Sequence, residues 1–496
     1  MAVRRQWARG IRVARLILGM AFLSAPAFAQ GIAPQGVPAA TPVPAPAPAP
    51  TPVIAEPVAP VAASTPAPVE PLPAALPEFP PAPIDVDARD AEPTPAAPDE
   101  DWYDLFDVRV FADAYFSLNY NSPKPQIGGN DVIRAFDSAN GFSLAWAGID
   151  ISHPAEPVGG SLALRFGPSA KRYSASCLSA KCDVDYRLEN VKQAFASWRP
   201  GGGNNPVTID FGKFDTIYGA EVAESQDNLN YTRGVLYWLG QPAFHTGLRA
   251  NAELTRNLNV RALVVNGWNN TVDNNSGKSF GLQATAHAAR TDSHDWFSVS
   301  VGYLGGPERD DTVPVTCPAG SVFAPSSSTG CSVSTAPGAA SGTLERPVTN
   351  TSGWRHFVDL LLTSDPTEQL HLVLNASYGH ERTRKSVLSS GFVGKSWLGA
   401  MLAARYTFAD QFAAAGRVEV YHDRDGATTG AVNGLPITQA TIETYTLTLD
   451  YLPTKHLTLR LDNRLDASNK KIFPKGIREL SGTLFTTTLG VVVSTN

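Results

Sequence analysis

The chain has 496 residues, of which 43% are hydrophobic and 17% charged, with 40 Pro, 4 Cys and a formal net charge of −6. Residues 1–29 carry +5, residues 30–101 carry −9 and the remainder −2, so no region has the domain-wide basic excess of a nucleic-acid surface. Because 21 of the 40 prolines fall between Gln30 and Glu100, whole-chain averages describe no single part of the molecule.

The first element is an address. Arg4, Arg5, Arg9, Arg12 and Arg15 precede the short apolar run Leu16 to Leu23, and Ala27-Phe28-Ala29 stands just before Gln30. This order predicts a secretory signal peptide over residues 1–29, with an apolar run shorter than the roughly 20 residues that span a bilayer. Residues 30–101 then repeat Ala-Pro, Thr-Pro and Val-Pro units. Proline lacks the backbone donor and fixes φ, which excludes helix and central strand and predicts a disordered, acidic Pro/Ala-rich linker in the periplasm. At about 3.1 Å per residue in polyproline II form, it reaches on the order of 200 Å at most. Slack spacer and docking strip for a periplasmic partner both fit that composition.

Residues 102–496 are predicted to form an all-β, transmembrane antiparallel β-barrel of about 16 strands. They contain no run of 18 apolar residues, which excludes helical spans. Instead, segments put an apolar residue at every second position, the period of a strand with one greasy and one polar face. Phe142, Leu144 and Trp146 alternate with Ser143, Ala145 and Ala147; Val418 and Val420 alternate with Arg417, Glu419 and Tyr421. Tyr445, Leu447, Leu449 and Tyr451 alternate with Thr444, Thr446, Thr448 and Asp450, and Leu457, Leu459 and Leu461 with Thr458, Arg460 and Asp462. A soluble β-sandwich also alternates, but the connections here alternate in length too. Short turns are expected near 153–159, 199–206, 255–257, 289–295, 365–368, 409–411 and 453–456. Long loops are expected near 121–138, 167–186, 215–243, 268–277, 305–353, 379–395, 424–440 and 467–479. Short turns on one side and long loops on the other are the plan of an outer-membrane barrel.

The cysteines sit in two of the long loops, Cys177 with Cys182 and Cys317 with Cys331. An oxidising exported environment permits two local disulfides. Zinc is the rival, but neither pair has further Cys or His at ligand spacing, so no metal and no cofactor is expected.

With the apolar register facing lipid, the inward wall carries Arg109, Arg165, Arg249, Arg261, Arg405, Arg417, Arg460 and Arg464, together with Asp113, Glu253, Asp359, Glu419, Asp450 and Asp462. Charges facing lipid are costly, so this wall calls for a wet lumen, and 16 strands leave a bore wide enough for one. The third long loop holds Asp215, Glu221, Glu224 and Asp227 against Arg233 alone. If it folds inward, these carboxylates face the arginines across a constriction and sort solutes by charge and dipole. If it does not, it is a solvated outer loop.

Several blocks carry a family resemblance. Ile209-Asp-Phe-Gly-Lys-Phe-Asp-Thr216, Gly219-Ala-Glu-Val222, Asn228-Leu-Asn-Tyr-Thr-Arg233, His245-Thr-Gly-Leu-Arg249, Val264-Val-Asn-Gly-Trp268 with Asp273-Asn-Asn275, and Leu459-Arg-Leu-Asp-Asn-Arg-Leu-Asp466 resemble the OmpL-like group of outer-membrane β-barrel porins. The resemblance covers residues 107 to 493 and implies a bacterial outer-membrane channel, with no catalytic residue to carry over. One departure is the C-terminus, which ends Val491-Val-Val-Ser-Thr-Asn496 rather than on an aromatic residue that the assembly machinery reads; either assembly tolerates this tail or an earlier residue such as Phe485 serves.

The expected function is a water-filled porin in the outer membrane of a Gram-negative bacterium, for passive diffusion of small hydrophilic solutes or ions. Its partners are outer-membrane lipid and, by analogy with porins of this size, further copies of itself in a trimer. A cell-surface attachment protein using the Cys-bearing loops is the alternative. An enzyme is not expected, because the nine His are scattered and no Gly-x-Ser-x-Gly occurs.

Overall fold

A computed structural model describes residues 105–123, 133–137, 140–174, 187–203, 205–290, 295–317, 321–323, 331–333, 342–347, 353–385, 391–432, 435–477 and 479–495. The predicted leader and linker lie outside the described residues. So do Cys177 and Cys182, and the side chains of Cys317 and Cys331.

Sixteen strands make one closed barrel. They are β1 Asp107–Asn119, β2 Gly141–His153, β3 Val158–Phe166, β4 Val191–Trp198, β5 Val207–Asp215, β6 Phe244–Thr255, β7 Leu258–Val265 and β8 Ser279–Arg290. The second half is β9 Asp295–Pro307, β10 Trp354–Thr367, β11 Leu370–Arg384, β12 Phe392–Ala409, β13 Phe412–Asp423, β14 Ala440–Thr454, β15 Leu457–Ser468 and β16 Thr483–Ser494. Every neighbour is antiparallel, and β16 closes onto β1 from Phe111 opposite Ser494 to Asn119 opposite Thr486. Closure leaves no free strand edge, which is the condition for crossing lipid with strands.

The predicted plan of short turns and long loops holds, with turns as tight as two residues at 256–257, 368–369, 410–411 and 455–456. One loop is shorter than expected. The expected loop 379–395 is shortened from both sides, since β11 runs to Arg384 and β12 begins at Phe392. Above the membrane a strand ladder needs hydrogen bonds but no greasy face, so polarity does not end it.

Burial is inverted relative to a soluble protein. In β13, Val418 and Val420 are exposed to the outside while Arg417, Glu419, Tyr421 and Asp423 are buried within the barrel. In β14, Tyr445, Leu447, Leu449 and Tyr451 face out, while Thr444, Thr448 and Asp450 face in. Aromatic pairs mark both rims of the outer surface: Phe412 stacks on Tyr451 at 4.8 Å near the short turns, and Tyr120 meets Phe485 at 5.1 Å near the long loops. Such girdles sit at the two membrane interfaces. Phe485 therefore lies at the loop end of β16, at the opposite end of the strand from the C-terminus.

Trp146 is a correction. Simple alternation puts it on the lipid face with Phe142 and Leu144, but the structure buries it completely inside the barrel. The register slips between Asp113 and Ala114, so Trp146 pairs with Asp113 and Leu144 with Ala114, leaving Ala145 as an extra residue. This β-bulge reverses the parity of β2, and a period-two reading does not detect it. Once inside, Trp146 packs against Phe136 at 5.0 Å.

Candidate pore and its constriction

The third long loop, residues 216–243, lies within the barrel. Its chain runs through a 3-10 turn at Ser225–Asp227 and a π-helical turn at Leu236–Gly240. Several of its backbone and side-chain polar groups are met by the wall. Gly219 N donates to Asp359 Oδ2 at 2.9 Å, and Trp397 Nε1 donates to the Gly240 carbonyl at 3.0 Å. Val235 N and Leu236 N both donate to Glu419, at 3.2 and 3.1 Å, and Asn230 Nδ2 donates to Thr448 Oγ1 at 2.7 Å. Ser225 and Tyr231 hydroxyls donate to Asp113 at 2.7 and 2.8 Å. Asp359 and Glu419 thus accept from backbone N–H groups that the loop has buried and that would otherwise go unsatisfied, while Asp113 accepts from two loop hydroxyls.

Lumen glycines make room for this packing. A Cβ on Gly490 of β16 would come within 2.2 Å of the Tyr231 ring, and one on Gly281 within 2.4 Å of the Tyr218 hydroxyl. Around the loop, two apolar clusters fill much of the bore. One centres on Tyr218, Leu236, Trp268, Phe357 and Trp397, and the other on Tyr115, Phe136, Trp146, Tyr231 and Phe244.

Asp215, at the end of β5, and the loop carboxylates Glu221, Glu224 and Asp227 each meet a cation. Asp215 accepts from Lys192 at 2.5 Å and from the Tyr173 hydroxyl at 2.9 Å. Glu221 pairs with Arg417 at 2.6 Å. Glu224 bridges Arg165 at 2.7 Å and Lys192 at 2.9 Å. Asp227 pairs with Arg109 at 3.1 Å. The two sets of charge are in direct contact rather than facing one another across water. Burial pushes the Glu224 carboxyl up, but Lys192 and Arg165 outweigh it and hold the group well below its ordinary 4.5, at about 2.

The other wall arginines are also accounted for. Arg249 pairs with Asp210 at 2.8 Å, Arg464 with Asp466 at 2.8 Å, and Arg405 with Asp450. Arg460 reaches Asp450 at 3.3 Å and donates to the carbonyls of Ser225 and Asn228. Arg261 alone of the eight has no carboxylate partner among the described residues: its Nε donates to Asn251 Oδ1 at 3.2 Å and its Nη1 to Gln283 Oε1 at 3.5 Å.

Sequence reasoning missed Lys192, because β4 reads Val-Lys-Gln-Ala-Phe-Ala-Ser-Trp with little apolar contrast. It also missed the neutral anchors Gln241, Asn375 and Ser377, which join at 2.6 and 2.8 Å. Polar residues at inward positions beside predicted strand partners were the available signal.

A large open space lies beside the loop. A cavity of about 880 Å³ extends from loop residues Asp215 to Ala223 down to Thr255 and Arg256 at the short-turn end, against Arg261, Gln283, Thr285 and Ser300. Smaller spaces lie elsewhere against the loop, about 120 Å³ between Asn230 and Met401 and about 170 Å³ between Asp227 and Thr458. Among the described residues no group of His, Cys, Asp and Glu has the arrangement of a metal site.

A family profile described as "Putative beta-barrel porin-2, OmpL-like" matches residues 106–494. Among solved structures, the chain is similar to the outer membrane channel DcaP of Acinetobacter baumannii, at 10% identity and TM-score 0.46, covering 78% of this chain and 96% of that one. It is similar to outer-membrane expressed OmpT of Vibrio cholerae, at 11% identity and TM-score 0.45, covering 78% and 97%. It is also similar to an anion-selective porin from Comamonas acidovorans, at 10% identity and TM-score 0.43, covering 78% and 99%. No curated protein matches the chain.

Proposed function

The chain belongs to the OmpL-like family of β-barrel porins, and on that premise we propose that small hydrophilic solutes pass on the β6–β10 side of the lumen, with loop 216–243 as the constriction. The protein is an outer-membrane channel for passive diffusion; the route and the roles of individual side chains are our reading. The observation that carries it is the cavity of about 880 Å³, bounded by the loop on one side and by polar wall residues on the other. Asp215, Glu221, Glu224 and Asp227 serve this constriction by holding the loop against Lys192, Arg417, Arg165 and Arg109. They narrow the bore by fixing the loop, since charges in contact with counter-charges project little field.

The attachment alternative rested on the Cys-bearing loops and finds no support in the family. The family is one of channels, and with scattered histidines we assign no catalytic residue. The exported leader through Ala29 and a linker of residues 30–101 in the periplasm belong to the same reading, supported by their composition and by both barrel ends, Asp107 and Ser494, lying on the short-turn side. Liposome swelling with sugars of graded size tests the function. Uptake that falls steeply with sugar size is expected; the same slow rate with and without protein contradicts a channel.

A further inference from the structure

Of the eight wall arginines, Arg261 is without a carboxylate partner among the described residues, and it faces the open space. Arg261 stands on β7 between Asn251 of β6 and Gln283 of β8, directly across the strand ladder from each. Both partners are neutral amides, so they hold the guanidinium in place without cancelling its charge. Gln283 is itself fixed, because its Nε2 donates to the Ile217 carbonyl at the start of the constricting loop at 2.5 Å. The Nη2 group of Arg261 has no hydrogen-bond partner among the described residues, and Arg261 lines the cavity of about 880 Å³.

The carboxylates around that cavity are turned to other partners. Asp215 and Glu221 are spent on Lys192 and Arg417. Glu253 and Arg256 lie exposed at the short-turn rim, and none of the lining carboxylates Asp215, Glu221 and Glu253 contacts Arg261. Thr285 and Ser300 supply hydroxyls beside it, bonded to each other at 2.8 Å.

We propose that this chamber is a transit site for small oxyanions, carboxylate or phosphate in type, with Arg261 as the residue that sets anion preference. The inference rests on the channel reading above. A guanidinium with free N–H groups, held rigidly in a partly enclosed chamber, matches the planar oxygens of such anions, and a low-dielectric wall strengthens the attraction. The other seven wall arginines each contact a carboxylate, Arg405 and Arg460 sharing Asp450.

Purified full-length protein in planar bilayers under a KCl gradient tests this. Wild type is expected to prefer chloride over potassium at low salt, and inorganic phosphate is expected to reduce its chloride current. Arg261→Gln is expected to lower the chloride-to-potassium permeability ratio by roughly 10-fold below about 0.1 M salt, with the difference shrinking near 1 M as screening sets in. Arg261→Lys is expected to keep the preference but bind phosphate less well, since it lacks the fork. Equal permeabilities in wild type, or an unchanged ratio in Arg261→Gln, with sugar flux intact, overturns the site and leaves the channel standing. Loss of sugar flux in wild type overturns both.

Discussion

The two sides of the lumen use the same residue types for opposite purposes. On the β13–β16 side, Arg417, Arg460 and Arg464 are almost completely buried, and each is held by carboxylates or by carbonyls of the constricting loop. On the β6–β9 side, Arg261 is half-buried against neutral amides and open water. A count of inward arginines treats them alike. What separates them is whether the third loop has come to rest on them, and a charge that holds a loop is no longer available to a solute.

The difference can be broken most severely on the packed side. Arg417 sits between Glu221 of the loop, at 2.6 Å, and Glu419 of its own strand, at 3.1 Å. Arg417→Ala leaves two buried carboxylates without their cation, a loss of about 3–5 kcal/mol. The loop is expected to detach locally while the barrel persists, so single-channel conductance rises. Conductance and urea midpoint both at wild-type values would show that the loop is held by something else.

A gentler way to loosen the same side is acid. The Glu224 carboxyl is held at about 2, below its ordinary 4.5, so its contribution to loop anchoring is fully present above about pH 4.5. That contribution is lost as pH falls from 4.5 toward 2, because the folded form must then take up a proton it binds weakly. Conductance is expected to be flat from pH 7 to about 5 and to rise, with more flicker, as pH approaches 3. A rise that begins near neutrality would point to a different group.

The strands were legible because their signal is local: two residues apart is enough to tell lipid face from lumen face, and long loops punctuate them. The count of 16 followed from that. The exceptions have local causes too, since the bulge at Ala145 moved Trp146 inside, and the extended β11–β12 ladder needed no apolar face. The loop's carboxylates were also visible, as was a wall to receive them. Their partners were not. Arg109 meets Asp227 and Arg417 meets Glu221 across stretches of chain that no periodicity connects, so the sequence could not tell which arginines remain unspent.

The central claim is that the way through lies beside β7, β8 and β9 and not on the opposite side of the loop. Thr285→Trp would place an indole in the cavity of about 880 Å³ while leaving every contact of the loop with β13–β16 untouched. Single-channel conductance of this variant, with insertion confirmed by unchanged heat-resistant migration, is the most direct measurement. A severalfold fall in conductance and a lower size limit for sugar uptake are expected. A variant that inserts normally and conducts as wild type does would contradict it.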